Sequence, residues 1–146
     1  QKIGVEILYS QFFYFKEAQM TPEKCREVIR FYRENLIELS YGGIEDIVGK
    51  RPEVIEPEPF GDDELTLWPL DQEECLAHLF YMLNMMDKFL DEGRMEKFFR
   101  WLGFIQGFCW GSGFQTLKEL KDLNKPEPDT GEATVGDPST AEIIVY

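Results

Sequence analysis

The run from Arg94 to Asn124 constrains the fold most, because it gathers much of the chain's aromatic content into helix-forming sequence. At about 100° per residue, its first part, Arg94–Trp110, carries apolar side chains on nearly all sides. The arc predicted to face the core comprises Met95, Phe98, Phe99, Leu102, Ile105, Cys109 and Trp110. A helix of this kind must be surrounded by other elements. The sequence therefore predicts a helical bundle and favours a homodimer.

Local signals mark the end of this central helix and the start of another. Residues 111–113, Gly-Ser-Gly, are predicted to end it, because glycine disfavours helix interiors and favours C-caps. Thr116 followed three residues later by Glu119 matches a capping box. That match predicts a short helix, which the run Asn-Lys-Pro at residues 124–126 closes.

A helix is predicted over residues 21–39. Thr21 suits the N-cap, Pro22 suits the first helical position, and Gly42 with Gly43 ends the pattern. Its apolar stripe consists of Cys25, Val28, Ile29, Tyr32, Leu36 and Leu39.

A further helix is predicted to open at Asp71, with Glu74 completing a capping box. Gly93 is placed as the C′ residue that ends it. Its buried stripe is predicted to hold Leu76, Leu79, Phe80, Leu83, Met86, Phe89 and Leu90. The single histidine, His78, is expected at the boundary of the core rather than in a metal site.

Acidic charge lies mostly outside the predicted helices. The chain carries 28 acids against 15 Lys or Arg, a formal net charge of −13. Residues 44–74 hold eleven acids and two bases, and residues 126–146 hold five acids and no base. Binding to nucleic acid by bulk electrostatics requires an excess of bases. No direct nucleic-acid binding is therefore expected.

Residues 44–70 contain four prolines and are predicted to form a long acidic linker. Its far end is expected to attach to the core through Leu65, Leu67, Trp68 and Leu70. At the start of the chain, residues 3–9 alternate as in a strand, whereas a helix over residues 9–18 fits the later spacing and is favoured. The tail, 126–146, is predicted to be extended, and its last residues, AEIIVY, can pair as a strand with residues 3–9.

The fold class is accordingly mainly α: a small bundle of four to five helices with a short terminal β pairing as an option. One domain is predicted over residues 1–125, with the acidic linker inside it and the tail beyond it. No apolar run approaches the roughly twenty residues of a membrane span, so no membrane association is expected.

The face of the central helix opposite its core arc mixes aromatic and basic side chains. It consists of Arg94, Lys97, Arg100, Trp101, Phe104 and Phe108. Stacking on Trp or Phe beside Arg or Lys is how bases, nucleotides and phosphates are often bound. This face is therefore a candidate site for a nucleotide-type ligand. Burial of the aromatic rings under the basic stems, against a helix or a second subunit, is the favoured alternative.

Three glycines, Gly103, Gly107 and Gly111, recur at four-residue spacing between the two faces. Glycine inside a helix costs about 1 kcal/mol relative to alanine. The spacing therefore predicts a close crossing with another helix, and a backbone left open to a ligand or partner is the alternative.

Signals for catalysis are weak. The chain has no Gly-rich phosphate loop followed by Lys and Ser or Thr, no HExxH and no serine elbow. Cys25, Cys75 and Cys109 are widely spaced within apolar patterns, so buried free thiols are expected rather than a disulfide or metal site. No catalytic residue, metal or cofactor is predicted.

Two segments carry a family resemblance. Arg100–Gly107, RWLGFIQG, and Thr116–Pro126, which fits TxxELKxxNxP, resemble the C-terminal signature of uncharacterised small proteins of tailed bacteriophages. Thr21–Leu36 resembles an earlier helix of those proteins, whereas residues 1–20, the linker and the tail depart from them. The resemblance implies an accessory protein in the cytoplasm of an infected bacterium that acts by binding a host protein.

Three functions follow from these observations. The favoured hypothesis is a non-enzymatic phage accessory protein that modulates a host enzyme or defence system, with its acidic segments engaging a basic surface. The second is a nucleotide-type ligand binder that uses the Arg94–Phe108 face. The third is a magnesium-dependent hydrolase using Glu34 and Glu38, although these lack the paired ExxE and ExxD spacing of all-helical enzymes of that kind.

Overall fold

A computed structural model describes residues 20–42 and 50–126 of the chain. These ranges contain four helices and no strand: α1 (Pro22–Tyr41), α2 (Gln72–Asp91), α3 (Met95–Gly111) and α4 (Leu117–Asn124). The prediction of a mainly α fold is confirmed. The predicted helix over residues 9–18, the terminal strand pairing and the tail beyond Pro126 lie outside the described residues.

The chain divides into two compact units. One is Ile29–Gln115, and the other combines Gln1–Val28 with Thr116–Tyr146. The predicted single domain over residues 1–125 stays a prediction, because that range includes residues outside the described part.

Within the unit Ile29–Gln115, α2 and α3 form an antiparallel helical hairpin joined by a tight turn. Gly93 adopts φ +72°, a left-handed conformation that favours glycine. The Arg94 N–H donates to Phe89 O at 2.7 Å, and the Gly93 N–H donates to Leu90 O at 3.1 Å. This pair of bonds is a Schellman motif, so the prediction that Gly93 ends α2 is confirmed.

α3 ends in the same way. Gly113 has φ +80°, its N–H donates to Trp110 O at 3.1 Å, and the Phe114 N–H donates to Cys109 O at 2.7 Å. The predicted stop at residues 111–113 is confirmed, with Gly113 as the C′ residue. Each turn supplies donors for helix-end carbonyls that otherwise lack partners.

Apolar side chains predicted on one face of each helix form the core of this unit. Those that are almost fully buried include Ile29, Tyr32, Leu36, Leu76, Leu79, Leu83, Met86, Phe89, Phe98, Leu102, Ile105 and Cys109. A polar contact lies among them, because the Tyr32 hydroxyl donates to Gln115 Oε1 at 2.8 Å. Burial raises the pKa of Tyr32 above its ordinary value, so this hydroxyl stays protonated and keeps donating.

Polar contacts join α1 to α2 at two levels. Arg33 forms an ion pair with Asp87 and donates to Asn84 Oδ1 at 2.9 Å. Gln72 Nε2 donates to Ser40 O at 2.8 Å near the end of α1. Because the Gln72–Ser40 contact is buried, it satisfies a helix-end carbonyl away from water.

In the other unit, both predicted N-caps are present. Thr21 Oγ1 accepts from the Lys24 N–H at 3.1 Å. Thr116 Oγ1 accepts from the Glu119 N–H at 3.1 Å, while Glu119 Oε2 accepts from the Thr116 N–H at 2.7 Å. The predicted capping box at the start of α4 is therefore confirmed.

Two details of the predicted helices are wrong. Asp71 is the N-cap of α2 but makes no side-chain cap bond, because its carboxylate accepts from the Leu67 N–H at 2.7 Å instead. Trp110 was expected in the core and is 56% exposed. It lies one position past the buried Cys109, at the edge of the apolar arc and in the last turn of α3.

Candidate binding surface

The aromatic and basic residues predicted on α3 divide between two clusters. Lys97 Nζ lies 4.9 Å from the centre of the Phe89 ring and 5.6 Å from that of the Trp101 ring. Arg94 Cζ lies 5.2 Å from the centre of the Phe89 ring. The rings of Phe89 and Trp101 meet edge to face with centroids 4.9 Å apart. Since Phe89 is buried, these two bases cover a packed aromatic pair.

Phe104 and Phe108 belong to a second cluster farther along α3. The Phe104 ring lies 6.3 Å from the His78 ring, and the Phe108 ring lies 5.3 Å from Trp68 and 5.7 Å from Phe114. Arg100, the remaining member of the predicted face, is exposed. Five of the six residues are thus divided between two aromatic clusters, and a single ligand pocket formed by all six stays a prediction.

The glycine strip of α3 does not pack against another of the described helices. A methyl group at Gly103, Gly107 or Gly111 would meet no heavy atom within 4 Å. Gly107 and Gly111 are exposed, as is Phe104 to 56%. Among the described residues, the predicted close helix crossing is therefore not formed. The reason is that the neighbouring helix packs against the opposite arc, around residues 98, 102 and 105.

The acidic linker is attached to α2 from residue 58 onward. The Glu58 N–H donates to Ala77 O at 3.0 Å, and the Phe60 N–H donates to His78 Nδ1 at 2.9 Å. Both acceptors lie near the start of α2. Two successive anchors of this kind hold the linker backbone along the helix, so this part of it behaves as folded structure.

A tight turn attaches the far end of the linker. The Leu67 N–H donates to Asp71 Oδ2 at 2.7 Å, and the Leu70 N–H donates to Leu67 O at 2.7 Å. Trp68 lies inside this turn and is half-buried, packing on the second aromatic cluster of α3. The turn therefore directs its tryptophan toward the hairpin.

The leucines around Trp68 remain outside. Leu65 is 90% exposed, Leu67 is 68% exposed and Leu70 is 80% exposed. The expectation that all three attach the linker to the core is wrong, because a turn that buries Trp68 leaves the residues at its ends facing solvent. A single exposed leucine is ordinary. Three exposed leucines within residues 65–70, called the leucine patch from here on, call for an explanation.

An acidic cavity of about 270 Å³ lies in the same part of the linker as the leucine patch. The described residues that line it are Glu58, Pro59, Phe60, Gly61, Glu64, Glu74 and Ala77, and none of these is basic. The Glu64 N–H donates to Gly61 O at 3.1 Å, which folds the chain at the cavity. Leu65 directly follows Glu64, so the residues that line the cavity lead into the leucine patch along the chain.

The surroundings of the cavity and the leucine patch are strongly negative. Residues 50–74 carry nine acids and two bases, and two of these acids, Glu73 and Glu74, lie in the first turn of α2. Clustered charge of one sign produces a potential that attracts oppositely charged partners over several ångströms. The surface therefore combines exposed leucine side chains with a negative field.

His78 links this surface to the hairpin. Burial lowers the pKa of His78 below its ordinary value, and the carboxylate of Asp62 acts in the opposite direction. Its Nδ1 accepts from the Phe60 N–H, which requires the neutral ring with the proton on Nε2. The neutral form of His78, which burial favours, is therefore the form that accepts this hydrogen bond between the linker and α2.

The thiols are poorly suited to nucleophilic chemistry. Cys25, Cys75 and Cys109 are free and buried, as predicted. Burial raises the pKa of each to about 12. A thiolate is the reactive form of cysteine, and at neutral pH each of these side chains is a protonated thiol.

No protein-family model, no curated protein and no solved structure matches the chain. Within residues 20–42 and 50–126, no group of three or more His, Cys, Asp or Glu side chains is arranged to hold a metal ion. No helix in the same ranges is long and apolar enough to cross a membrane. The exposed surface of the linker is the most informative feature for function.

The leucine patch was missed at the level of sequence, although a signal was present. Pro69 directly after Trp68, with Asp71 opening a helix two residues later, favours a turn. In a turn, neighbouring side chains cannot all face the same side. The apolar run therefore had to divide between a buried tryptophan and exposed leucines.

Proposed function

We propose that the chain is a non-enzymatic accessory protein of a tailed bacteriophage, which acts inside the infected cell by binding a host protein. The observation that carries this proposal is the leucine patch on the linker, at Leu65, Leu67 and Leu70. Monomeric proteins rarely expose grouped apolar side chains, and such groups commonly mark interaction sites. The acidic cavity beside it adds charge, which favours partner selection and fast association.

The attachment of the linker makes the patch more effective. Hydrogen bonds from Glu58 and Phe60 to α2, together with the packing of Trp68, fix the backbone that carries the leucines. A pre-ordered surface loses less conformational entropy on binding than a mobile loop. Burying one leucine contributes about 1.5–3 kcal/mol, so three of them provide a useful part of a binding free energy.

The phage origin and the host partner are supported by the resemblance of Arg100–Gly107 and Thr116–Pro126 to small phage proteins. These segments lie in α3 and around α4. The leucine patch lies in the linker, which the resemblance does not cover. The binding role is therefore proposed for a feature of this chain itself.

The test is quantitative capture from lysates of infected host cells, followed by titration of each captured protein after its purification. We expect at least one host protein to bind the intact chain and to lose about ten-fold or more in affinity, roughly 1.4 kcal/mol, for Leu65→Ser/Leu67→Ser/Leu70→Ser. Circular dichroism establishes that this variant is folded.

Leu117→Ser is the matched control, because Leu117 is also an exposed leucine but lies on α4. It should bind as the unmodified chain does. The proposal is overturned if no purified host protein binds, or if the triple variant binds as tightly as the control.

A further inference from the structure

We infer that the partner segment recognised by the linker is basic and carries apolar side chains. This inference rests on the proposed function and names the chemistry of its partner. It follows from two features that are adjacent along the linker, the leucine patch and the acidic cavity.

The apolar requirement comes from the leucines. Leu67 and Leu70 stand at the two ends of one turn, joined by the 2.7 Å bond from the Leu70 N–H to Leu67 O, and Leu65 precedes them in the same segment. All three are more than two-thirds exposed. A partner gains from this surface only by covering it with apolar side chains of its own.

The basic requirement comes from the cavity. Glu58, Glu64 and Glu74 supply carboxylates to a space of about 270 Å³, and none of the described residues that line it is basic. A water molecule occupies about 30 Å³ of liquid, so the cavity has room for an ammonium or guanidinium group with some water. A lysine or arginine beside the partner's apolar residues would meet these carboxylates directly.

Other occupants are disfavoured by charge. Nucleic acid and anionic lipid are both negative and would be repelled by a segment with nine acids and two bases. A second copy of the chain carries the same net charge of −13. Among these occupants, a basic protein segment is the one whose charge and polarity both match.

The test uses fluorescence anisotropy with labelled synthetic peptides and the full chain. The first probe is an amphipathic peptide of leucine and lysine at helical spacing. Two others of equal length replace lysine by glutamate, or leucine by serine. We expect measurable binding of the leucine–lysine peptide and not of the other two. This binding should weaken as the salt concentration is raised from about 50 to 300 mM, because exposed charges are screened.

Variants of the chain separate the two requirements. Leu65→Ser/Leu67→Ser/Leu70→Ser should weaken binding of the leucine–lysine peptide by about ten-fold or more. If the same variant weakens binding to a captured host protein to a comparable degree, the peptide result applies to the natural partner.

The carboxylates are tested by Glu58→Gln/Glu64→Gln/Glu74→Gln, which keeps the side-chain shapes. The matched control removes three exposed carboxylates of α1 instead, Glu23→Gln/Glu34→Gln/Glu38→Gln. Both variants change the net charge equally. We expect at least five-fold weaker peptide binding, about 1 kcal/mol, for the cavity variant relative to the control.

The inference is overturned if the two charge variants bind the peptide equally, or if the glutamate or serine peptides bind as well as the leucine–lysine peptide. Those outcomes are distinguishable from failure of the proposed function. If a host protein depends on the leucine patch while the peptide test fails, the proposed function stands and only the basic partner segment is contradicted.

Discussion

The ring of Trp68 meets the ring of Phe108 edge to face, with centroids 5.3 Å apart, and so joins the acidic linker to the last turn of α3. The same turn leaves Leu67 and Leu70 facing solvent. Packing on one side of the turn therefore determines what is displayed on the other. This coupling makes Trp68 a residue on which both the stability of the linker and the exposure of its leucines depend.

Trp68→Ala should lower the free energy of unfolding by about 2–3 kcal/mol, somewhat less than the 3–5 kcal/mol typical of fully buried aromatic residues, since Trp68 is half-buried. Urea denaturation followed by circular dichroism measures this. Leu65→Ala, at a 90% exposed position, is the control and should change stability by less than about 0.5 kcal/mol. Equal effects of the two variants would contradict the packing described for Trp68.

Stability should fall as the pH is lowered through the titration of His78. Burial lowers the pKa of His78 in the folded chain, so the unfolded chain binds the proton more readily. The stabilisation is fully present above the unfolded value of about 6.5 and is lost as the pH falls through the folded value. Asp62 of the linker opposes this shift, and the rings of Tyr81 and Phe104 are the aromatic neighbours of the imidazole.

Because His78 is the single histidine of the chain, its titration can be followed by proton NMR without ambiguity. We expect a midpoint below 6.5, together with faster exchange of the Phe60 amide once the ring is protonated. His78→Gln, which retains an acceptor without titrating, should remove the pH dependence in this window. A midpoint at or above 6.5 is incompatible with the buried, accepting Nδ1.

Tyr32→Phe should destabilise the chain by about 1–3 kcal/mol, because it leaves the buried Gln115 Oε1 without the donor 2.8 Å away. Thermal or urea unfolding at neutral pH measures the effect. Tyr81→Phe, at a half-buried position of α2, should change stability by less than about 0.5 kcal/mol. Equal free energies of unfolding for the two variants would show that the Tyr32 hydroxyl does not contribute to stability.

Nucleotides should give no saturable heat in calorimetry with the intact chain. Arg94 and Lys97 lie over the buried Phe89 ring, and Phe108 packs with Trp68, so these groups have other partners. Saturable binding that is lost on Arg100→Ala or Trp101→Ala would instead favour the nucleotide-binding hypothesis.

Helix boundaries were largely predictable because their signals are local. Thr21 and Thr116 are caps whose hydroxyls bond amides three residues away, and Gly93 and Gly113 take positive φ values where side chains are disfavoured. Such signals depend on a few neighbouring residues, so they can be recognised in the sequence. Asp71 is the exception, because the turn that precedes α2 offers its carboxylate the Leu67 N–H in place of an amide of its own helix.

The linker surface was much less predictable. The contacts that attach it to the helices join residues far apart in sequence, such as Glu58 with Ala77 and Trp68 with Phe108. No periodicity in the sequence indicates such contacts. The glycine strip of α3 raises a related point, since spacing indicates that a helix can be approached closely but not what approaches it, and none of the described helices packs there. Tertiary contacts decided both cases.

The central claim is that the linker from residue 58 onward is a fixed surface. Hydrogen exchange of the free chain, resolved by NMR at the amides of Glu58, Phe60, Leu67 and Leu70, tests it most directly. Each of these amides donates a hydrogen bond, so we expect protection of about ten-fold or more over an unstructured peptide, and loss of protection at Leu67 and Leu70 in Trp68→Ala. Exchange of all four amides at the rates of an unstructured peptide in the unmodified chain would contradict the claim.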